Sequence, residues 1–298
     1  MYLEKLKEIF KEVYINEPMK NHTSFRTGGP ADVYVKADRA ENIIKAIEML
    51  KKENVEYTII GNGSNLLVSD RGICGAVIEI GSMMNNISVE GEKIYAEAGA
   101  LLSSLAAAAA ENCLTGLEFA SGIPGSVGGA VVMNAGAYDG EIKDAIDYAD
   151  VIDNEGNILR LTKDELGLSY RHSVIDEKKM IVIGAGFRLK EGDGRAIKEK
   201  MADFAARRRE KQPLNYPSAG STFKRPEGHF AGKLIEDAGL KGKTIGGAQV
   251  SQKHAGFIIN TGDATTEDIL ELMDCCAETV YNKFGVRLEP EVRFIGRK

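Results

Sequence analysis

The stretch GLEFASGIPGSVGGAVVMNAGAYDG, residues 116–140, decides how this chain folds, because it holds too much glycine for a packed core and is too apolar for a flexible linker. Pro124 has no backbone N–H and a fixed φ, so residues 122–125 can continue neither a helix nor a central strand. Small side chains follow at short intervals, and bare backbone lets a flat, large ligand approach closely. The residues predicted to form this surface are Gly122, Pro124, Gly125, Gly128, Gly129, Ala135 and Gly136.

A second glycine-rich loop, GNGSN, directly follows a predicted strand at residues 57–60. Glycine reaches positive φ and lets backbone N–H groups approach a phosphate, and the polar side chains add neutral donors. By itself, the loop is explained equally well as a tight turn after a strand. Leu66 stands where a Rossmann fingerprint needs its third glycine, which argues against a Rossmann dehydrogenase. Two such loops together predict one extended cofactor that bears a pyrophosphate and a ring system. The residues of the second loop assigned to it are Gly61, Asn62, Gly63, Ser64 and Asn65.

The composition is that of a soluble globular protein. The chain has 298 residues, of which 43% are hydrophobic and 28% charged, with a formal net charge of -6. No stretch approaches the roughly 20 apolar residues that span a bilayer, and the first residues, MYLEK, do not resemble a signal peptide, so we expect a cytoplasmic protein. The negative charge disfavours nucleic acid and anionic membranes, and we expect neither as a partner.

The cysteines and histidines indicate no metal or redox site. The cysteines at 74, 113, 275 and 276 have neither zinc-site nor redox spacing, and we expect buried thiols. The histidines at 22, 172, 229 and 254 are scattered and form no ligand set, so no metal is expected.

Hydrophobic periodicity predicts a mixed chain of helices and strands. Helices are predicted around residues 3–13, 43–50, 106–110, 197–205 and 230–237, and from a cap at Thr265 or Thr266 to a stop at Gly285. Strands are predicted at 32–36, 57–60, 76–80, 94–98, 145–152, 158–161, 181–189, 256–260 and 286–295. Turn residues at 191–194 predict a domain boundary there.

Eight blocks of the chain follow one another in order from residue 21 to residue 296: NHTSFRTGGPAD, GNGSNLLVSDRG, GIPGSVGGAVVMNAGAYDGEI, YRHS, AGSTFKRP, AGKLIEDAGLKG, GGAQVSQKHAGFIIN and LEPEVRFIG. Together these blocks resemble the UDP-N-acetylenolpyruvoylglucosamine reductase family of bacterial peptidoglycan synthesis. Any one block is weak evidence, whereas eight in register are strong evidence.

The resemblance implies an α+β protein with an FAD-binding fold of the vanillyl-alcohol-oxidase type. It implies a flavin domain at 1–193, in two subdomains of about 1–85 and 86–193. A substrate domain follows at 194–298, and its last strand, 286–298, returns the catalytic glutamate to the flavin. It also implies the reaction, in which NADPH reduces FAD and the reduced flavin converts an enolpyruvyl ether of a UDP sugar to UDP-N-acetylmuramate. The interval between Arg171 and Ser221 is similar to that of the shorter family type, which lacks a tyrosine-bearing loop.

The resemblance further implies roles for particular residues. Arg171 matches the arginine that binds the substrate carboxylate, Ser221 the proton donor, and Glu291 the catalytic glutamate. From the residues alone, a surface salt bridge is the better explanation of Arg171, and a cap or turn is the better explanation of Ser221. Substrate contacts are implied for Tyr170, Lys211, Arg225 and His254, and flavin contacts extend to Ser121 and Asn134.

Two other functions compete with this interpretation. A flavoprotein of the same fold with different chemistry, such as an oxidase of a small alcohol, would keep the glycine loops and lose the C-terminal motifs. A flavin- or nucleotide-binding module without turnover would keep the loops and show no catalysis. The visible spectrum in the presence of NADPH and substrate discriminates between these functions.

Overall fold

The structure is a computed structural model that describes residues 2–297. The chain groups into two compact units. The first contains the residues up to Tyr14, Val33–Asn62 and Gly75–Arg207, and the second contains Ile15–Asp32, Gly63–Cys74 and the residues from Arg208 onwards. The predicted division at residues 193 and 194 concerns flavin and substrate binding and stays a prediction. The compact units differ from it because two early segments group with the C-terminal part.

The helices and strands are numbered in chain order. The helices α1 to α9 are Tyr2–Ile9, Ala40–Lys52, Leu102–Glu111, Val127–Val132, Ile142–Ala145, Val174–Glu177, Gly194–Lys211, Ala231–Asp237 and Thr266–Phe284, with 3₁₀ turns at Met19–His22 and Glu118–Gly122. The strands β1 to β18 are Val13–Pro18, Pro30–Lys36, Tyr57–Ile60, Leu66–Val68, Ile73–Glu79, Ile87–Glu90, Lys93–Glu97, Leu114–Thr115, Gly136–Ala137, Gly140–Glu141, Ile146–Ile152, Ile158–Thr162, Ile181–Arg188, Lys190–Glu191, Thr244–Ile245, Ala248–Val250, Ile258–Asn260 and Arg293–Ile295.

The first unit is built on a five-stranded antiparallel sheet of order β12-β11-β13-β7-β6. A second sheet has the order β1-β2-β5-β3, in which β3 and β5 are parallel. The chain crosses between units within β1, β2, β5 and α7. The core of the first unit is made of aliphatic side chains and small alanines, which allow helix and sheet to approach closely. Within the glycine-rich segment 116–140, α4 packs against β13 of the five-stranded sheet.

In the second unit, α9 packs against the antiparallel sheet β15-β16-β17, and α8 packs against α9. Strand β18 pairs in parallel with β4, which comes from the early segment of the chain. Helix α9 starts at the predicted cap, Thr265, whose hydroxyl accepts from the backbone N–H of Asp268, and ends at Gly285 with φ 70°. Phe25 and Leu67 lie in the core of this unit.

Most predicted elements are present within a few residues of their predicted bounds, and some predictions are wrong. Val13 starts β1 instead of continuing α1, and only Arg293–Ile295 of the predicted strand 286–295 forms a regular strand, while Pro290 makes an isolated bridge. Cys74 and Cys113 are exposed, whereas Cys276 is buried. Cys74 points outward from β5 by strand alternation, and Cys113 follows α3 at a turn residue with φ 56°. No helix within residues 2–297 combines the length and apolarity required to cross a membrane.

Candidate active site

The two predicted cofactor loops meet within the first unit. The side-chain amide of Asn62 donates to the carbonyl oxygen of Pro124 at 2.6 Å. Gly61 follows strand β3, and a Cβ at this position would collide with Oγ of Ser126. Bare backbone at Gly61 is therefore required for the two loops to approach each other. This contact confirms neither loop as a flavin site, but it joins the two segments that were assigned to one ligand.

The glycines of the 116–140 stretch divide into packing positions and an open position. Gly128 lies against Ala98, where an added Cβ would be 2.9 Å from the Ala98 Cβ, so helix packing requires this glycine. An added Cβ at Gly136 would likewise be 2.6 Å from the carbonyl oxygen of Gly140, so packing requires this glycine too. Gly129 is exposed, and a Cβ there would meet only Oγ of Ser126 at 3.5 Å. A ligand that lies on bare backbone therefore fits at Gly129.

Other residues assigned to the cofactor have structural contacts. The Ser121 hydroxyl donates to the Glu118 carbonyl oxygen at 2.8 Å and so holds the 3₁₀ turn before Pro124. Ala135 is buried, and its backbone N–H donates to the Ala130 carbonyl oxygen at 2.8 Å. Asn134 is also buried, and its side-chain amide hydrogen-bonds within the first unit. Their contacts with a flavin stay predictions.

Arg171 lies in a tight turn. Ser169 and His172 exchange both backbone hydrogen bonds at 3.2 Å, which encloses Tyr170 and Arg171 between them. Arg171 has φ 54°, a left-handed conformation that is uncommon for a residue with a side chain. Its guanidinium carbon lies 5.0 Å from the centroid of the half-exposed Tyr170 ring. The turn therefore presents both residues of the motif at the surface of the first unit.

Ser221 and Glu291 are brought together in the second unit. Phe223 and Pro290 form an antiparallel bridge, the Glu291 N–H donates to the Thr222 carbonyl oxygen at 2.9 Å, and the Lys224 N–H donates to the Glu289 carbonyl oxygen at 2.8 Å. Proline has no N–H, so it fits this short pairing at its non-donating position. Two motifs that lie far apart in sequence thus become neighbouring segments.

The last three residues of the GNGSN loop, from Gly63 to Asn65, belong to this same unit. Gly63 has φ 62°, and a Cβ there would collide with the His22 carbonyl oxygen. The Asn65 amide donates to the Glu291 carbonyl oxygen at 3.0 Å, and the Arg293 N–H donates to the Asn65 carbonyl oxygen at 2.9 Å. Asn65 therefore holds the segment that carries Glu291 in place through these two hydrogen bonds. Ser64 is half-buried beside it in sequence.

The predicted substrate contacts of the second unit occupy different elements. Lys211 is the exposed last residue of α7, and the Arg225 guanidinium carbon lies 3.9 Å from the centroid of the exposed Phe230 ring. His254 accepts a hydrogen bond from the Gly256 N–H at 3.0 Å, and burial lowers the pKa of its imidazole. A neutral imidazole at this position would act as a hydrogen-bond partner rather than as a cation.

Sequence analysis did not single out Ser126. Its hydroxyl accepts from the Gly129 N–H at 3.4 Å as the N-cap of α4 and occupies the space above Gly61. A serine directly before a helical run is a recognised cap signal, which would have located the helix but not the contact with Gly61. No group of three or more His, Cys, Asp or Glu side chains within residues 2–297 is arranged to hold a metal ion.

Comparison with known proteins identifies the chain's relatives. Residues 212–295 match the family described as UDP-N-acetylenolpyruvoylglucosamine reductase, C-terminal domain, and residues 31–162 match the FAD binding domain family. The chain is 55% identical to the UDP-N-acetylenolpyruvoylglucosamine reductase of Caldanaerobacter subterraneus subsp. tengcongensis, over 99% of this chain and 98% of the relative. It is 54% identical to the enzyme of the same name from Clostridium novyi, over 99% of this chain and 96% of the relative.

Solved structures agree with this relationship. The crystal structure of UDP-N-acetylenolpyruvylglucosamine reductase from Thermus caldophilus superposes with a TM-score of 0.82 at 36% identity, covering 95% of this chain and 98% of that one. A berberine bridge enzyme variant has a TM-score of 0.52 at 15% identity, over 65% of this chain and 44% of that one, and shares the fold alone. The predicted α+β fold of the vanillyl-alcohol-oxidase type is thereby confirmed. Because a relative of 55% identity matches over nearly its whole length, the chain belongs to the UDP-N-acetylenolpyruvoylglucosamine reductase family of FAD-dependent oxidoreductases.

Proposed function

We propose that this protein reduces the enolpyruvyl ether of UDP-N-acetylglucosamine enolpyruvate to UDP-N-acetylmuramate, with NADPH as hydride donor and FAD as the bound cofactor. The reaction supplies a precursor of peptidoglycan. The observation that carries the proposal is the backbone pairing of the Ser221 and Glu291 segments, since it puts a hydroxyl donor and a carboxyl group on adjacent segments of one unit. The names of the relatives support the same reaction.

The residues of the first unit fit a flavin. The joined loops at Asn62 and Pro124, with exposed backbone at Gly129, offer main-chain groups that a pyrophosphate or a ring can approach. When bound, FAD supplies the hydride chemistry, taking a hydride from NADPH and passing it to the enolpyruvyl group. Gly61 and Ser126 keep the loops in contact while this ligand is held.

Arg171 binds the carboxylate of the substrate in this proposal. A guanidinium offers a planar pair of donors that matches a carboxylate, and its charge stabilises the enolate that develops as the double bond is reduced. Arg171 has a left-handed backbone conformation, so its side chain leaves the backbone in a direction different from that in a regular strand. Strained backbone of this kind is common at binding positions.

Ser221 donates the proton that completes the reduction. Its hydroxyl is exposed, so a substrate carbon can reach it, and the small residues Ala219 and Gly220 precede it. A serine hydroxyl is a poor acid in water and becomes a useful donor only next to a strong base such as an enolate. Glu291, on the paired segment, balances charge and protons around that donor.

Lys211, Arg225 and His254 contact the UDP part of the substrate in this proposal. The two cations can offset the diphosphate charge in a protein whose net charge is -6. The neutral imidazole of His254 adds a hydrogen bond without adding charge. Such contacts outside the reacting atoms orient the enolpyruvyl group.

Anaerobic visible spectroscopy tests the proposed function. We expect the purified protein to show flavin absorbance, which NADPH bleaches and the enolpyruvyl UDP sugar restores. A colourless protein that takes up no FAD would support a module without this chemistry. Flavin that is bleached by a small alcohol, and is not restored by the enolpyruvyl substrate, would support an alcohol oxidase instead.

A further inference from the structure

Both ends of the turn that carries Arg171 are attached to residues 132–134 by side-chain hydrogen bonds. Residues Ser169 and His172 close the turn through their backbone, but two hydrogen bonds do not set the position of a turn relative to the rest of the unit. Arg171 must reach a substrate carboxylate with its donors aligned, and misplacement of such a group by about 1 Å can cost on the order of a hundredfold in rate. Contacts that locate the turn are therefore functionally important.

Asn134 provides the first of these contacts. Its side chain is 0% exposed, and its Nδ2 donates to the Ser169 carbonyl oxygen at 3.0 Å and to Oε2 of Glu141 at 3.1 Å. Its Oδ1 accepts from the Lys143 N–H at 2.9 Å. Both donor hydrogens are thus used, and the amide orientation is determined by its partners. A buried amide with this arrangement fixes the position of the carbonyl group of Ser169, the first residue of the turn.

Ser173 provides the second contact, directly after the turn. It is 0% exposed, and its hydroxyl donates to the Val132 carbonyl oxygen at 2.6 Å while accepting from the Asp176 N–H at 3.3 Å. Val132 is the last residue of α4, and Asn134 follows it two residues later. The two ends of the Arg171 turn are therefore attached to the same short segment, residues 132–134, which directly follows the glycine-rich helix of the proposed flavin loop.

Glu141 orients the Asn134 amide and faces the same turn. Burial raises the pKa of its carboxyl group, but hydrogen bonds from Lys143 and Asn134 and the charges of Lys143 and Arg171 outweigh this effect, so the pKa lies below its ordinary value. The Lys143 ammonium lies 2.6 Å from Oε2 of Glu141. An ionised Glu141 carboxylate accepts one of the two amide hydrogens of Asn134, and the other amide hydrogen bonds to the Ser169 carbonyl oxygen.

We propose that the Asn134 amide and the Ser173 hydroxyl are positioning groups that attach the Ser169–His172 turn to residues 132–134, and so align Arg171 with the substrate carboxylate. The inference rests on the proposed role of Arg171 as the carboxylate-binding residue. It gives Asn134 a different role from a direct flavin contact. Because the amide hydrogens are already used within the protein, its side chain locates the arginine instead.

A double-mutant cycle tests this proposal. Asn134→Asp keeps the shape of the side chain but turns a donor of two hydrogen bonds into an acceptor that faces two oxygens. We expect kcat/KM for the enolpyruvyl substrate to fall at least about tenfold in the protein with Arg171 and less than about twofold in the Arg171→Ala background. Flavin content and the rate of flavin reduction by NADPH are expected to stay unchanged.

Ser173→Ala gives a second, milder variant, for use if Asn134→Asp does not fold. We expect the same pattern, with a loss of about threefold to tenfold only when Arg171 is present. Two matched controls remove equivalent hydrogen bonds to carbonyl groups elsewhere: Asn154→Asp, which loses the bond to Lys178, and Thr279→Val, which loses the bond to Cys275. Both controls are expected to leave kcat/KM unchanged in either background.

The outcomes separate this proposal from the function on which it rests. Equal losses with and without Arg171, or loss of FAD from Asn134→Asp, would overturn the positioning role and leave the proposed function in place. An Arg171→Ala protein that is reoxidised by the enolpyruvyl substrate as fast as the unmodified protein would overturn the role of Arg171 and, with it, the positioning role. An unmodified protein that does not use this substrate would overturn the proposed function itself.

Discussion

At the scale of single residues, the site depends on side chains whose type is dictated by their backbone partners. Gly61 has no Cβ because Ser126 occupies that space, and Asn65 reaches the carbonyl of Glu291 because an amide can donate where a carboxylate cannot. Ser221 has an exposed hydroxyl next to a buried Thr222, whose own hydroxyl accepts from the Ile258 N–H at 3.0 Å. Neighbouring residues of the same chemical type are thus separated into one exposed hydroxyl and one structural hydroxyl.

Ser221→Ala is expected to separate the two halves of the reaction. Removal of the proposed proton donor should leave hydride transfer from NADPH to the flavin unaffected, because that step needs no hydroxyl at this position. Reoxidation of the reduced flavin by the enolpyruvyl substrate should slow by about 10²–10⁴-fold, the usual contribution of a general acid. Stopped-flow absorbance measures both steps, and Thr222→Ser is the matched control for a hydroxyl on the same segment. Equal slowing of both half-reactions by Ser221→Ala would argue against Ser221 as the donor.

Gly61→Ala is expected to weaken flavin binding. The added methyl group collides with Oγ of Ser126, so either this hydroxyl leaves its capping position on α4 or the two loops separate. We expect the FAD dissociation constant to rise at least about tenfold, which corresponds to about 1.4 kcal/mol. Fluorescence titration of the apoprotein with FAD measures this change. Gly91→Ala is the control, because a Cβ there meets nothing within 4 Å and only its φ of 56° is strained. Unchanged FAD affinity in Gly61→Ala would contradict the assignment of this loop.

At the scale of elements, short and irregular pieces carry the site while long, regular ones support it. The Ser221 and Glu291 segments pair over a few residues only, and the Arg171 turn is a two-residue connection. Helix α9, by contrast, runs over Thr266–Phe284 and buries an aliphatic face in the core of the second unit. Regular elements satisfy their own backbone groups, whereas irregular ones leave backbone and side chains available to a ligand.

The N-terminus of α9 supports a prediction about stability and pH. Asp268 accepts from the backbone N–H groups of Thr265 at 3.0 Å and Gly247 at 3.1 Å, and these hydrogen bonds lower its pKa from the ordinary value of 3.8. A carboxyl group with a lowered folded-state pKa stabilises the fold above its unfolded-state pKa, and this contribution is lost as the pH falls through the folded-state value.

Thr265→Ala is expected to lower the free energy of unfolding by about 1 kcal/mol, because the cap hydroxyl that accepts from the Asp268 N–H is removed. Asp268→Asn should be less stable than the unmodified protein at neutral pH, and the difference should shrink as the pH falls below 3.8. Urea unfolding at several pH values measures both effects. A difference that stays constant down to pH values well below 3.8 would show that the carboxylate charge is not involved.

At the scale of the whole molecule, the chain is divided in a way that its order does not suggest. The second unit includes Ile15–Asp32 and Gly63–Cys74 together with the C-terminal residues. Phe25 is fully buried in its core, the Asn260 amide donates to the Phe25 carbonyl oxygen at 3.0 Å, and the Thr266 hydroxyl donates to the Val68 carbonyl oxygen at 2.6 Å. The C-terminal third therefore lacks part of its core when it is separated from the early segments.

A fragment of residues 208–298 is expected not to fold. Without the early segments it exposes the apolar surface that covers Phe25 and Leu67 and leaves the partner of β18 absent. Circular dichroism and the amide region of an NMR spectrum measure this directly, with the full-length chain as reference. A cooperative unfolding transition in the isolated fragment would contradict the structure.

Phe25→Ala tests the same dependence in the full-length chain. We expect a loss of about 3–5 kcal/mol in the free energy of unfolding, as for a large side chain removed from a core. Phe294→Ala is the matched control, since this phenylalanine is 43% exposed and its removal should cost well under half as much. Equal losses in the two variants would show that Phe25 is not a core residue.

Much of the fold and part of the site could be predicted from the sequence because they depend on local chemistry. Helix α9 was predicted with its cap and stop, since a hydroxyl before an apolar periodic run and a glycine after it act within one helical turn. The apolar period of α9 continues to Phe284, but this side chain is 41% exposed, because the final helical turn lies at the surface where periodicity no longer implies a packing partner. The predicted flavin, substrate and catalytic roles of individual residues stay predictions.

The sequence by itself determined which residue types are available: two glycine-rich loops, an arginine turn, a serine and a glutamate, each identified by its own short motif. Only the tertiary structure decided that Asn62 meets Pro124, that Asn65 braces Glu291, and that Asn134 holds the turn of Arg171. Each of these contacts joins backbone carbonyl groups to amides far away in the chain. Every residue has a carbonyl group, so no pattern of side chains reveals which one a distant amide will bind.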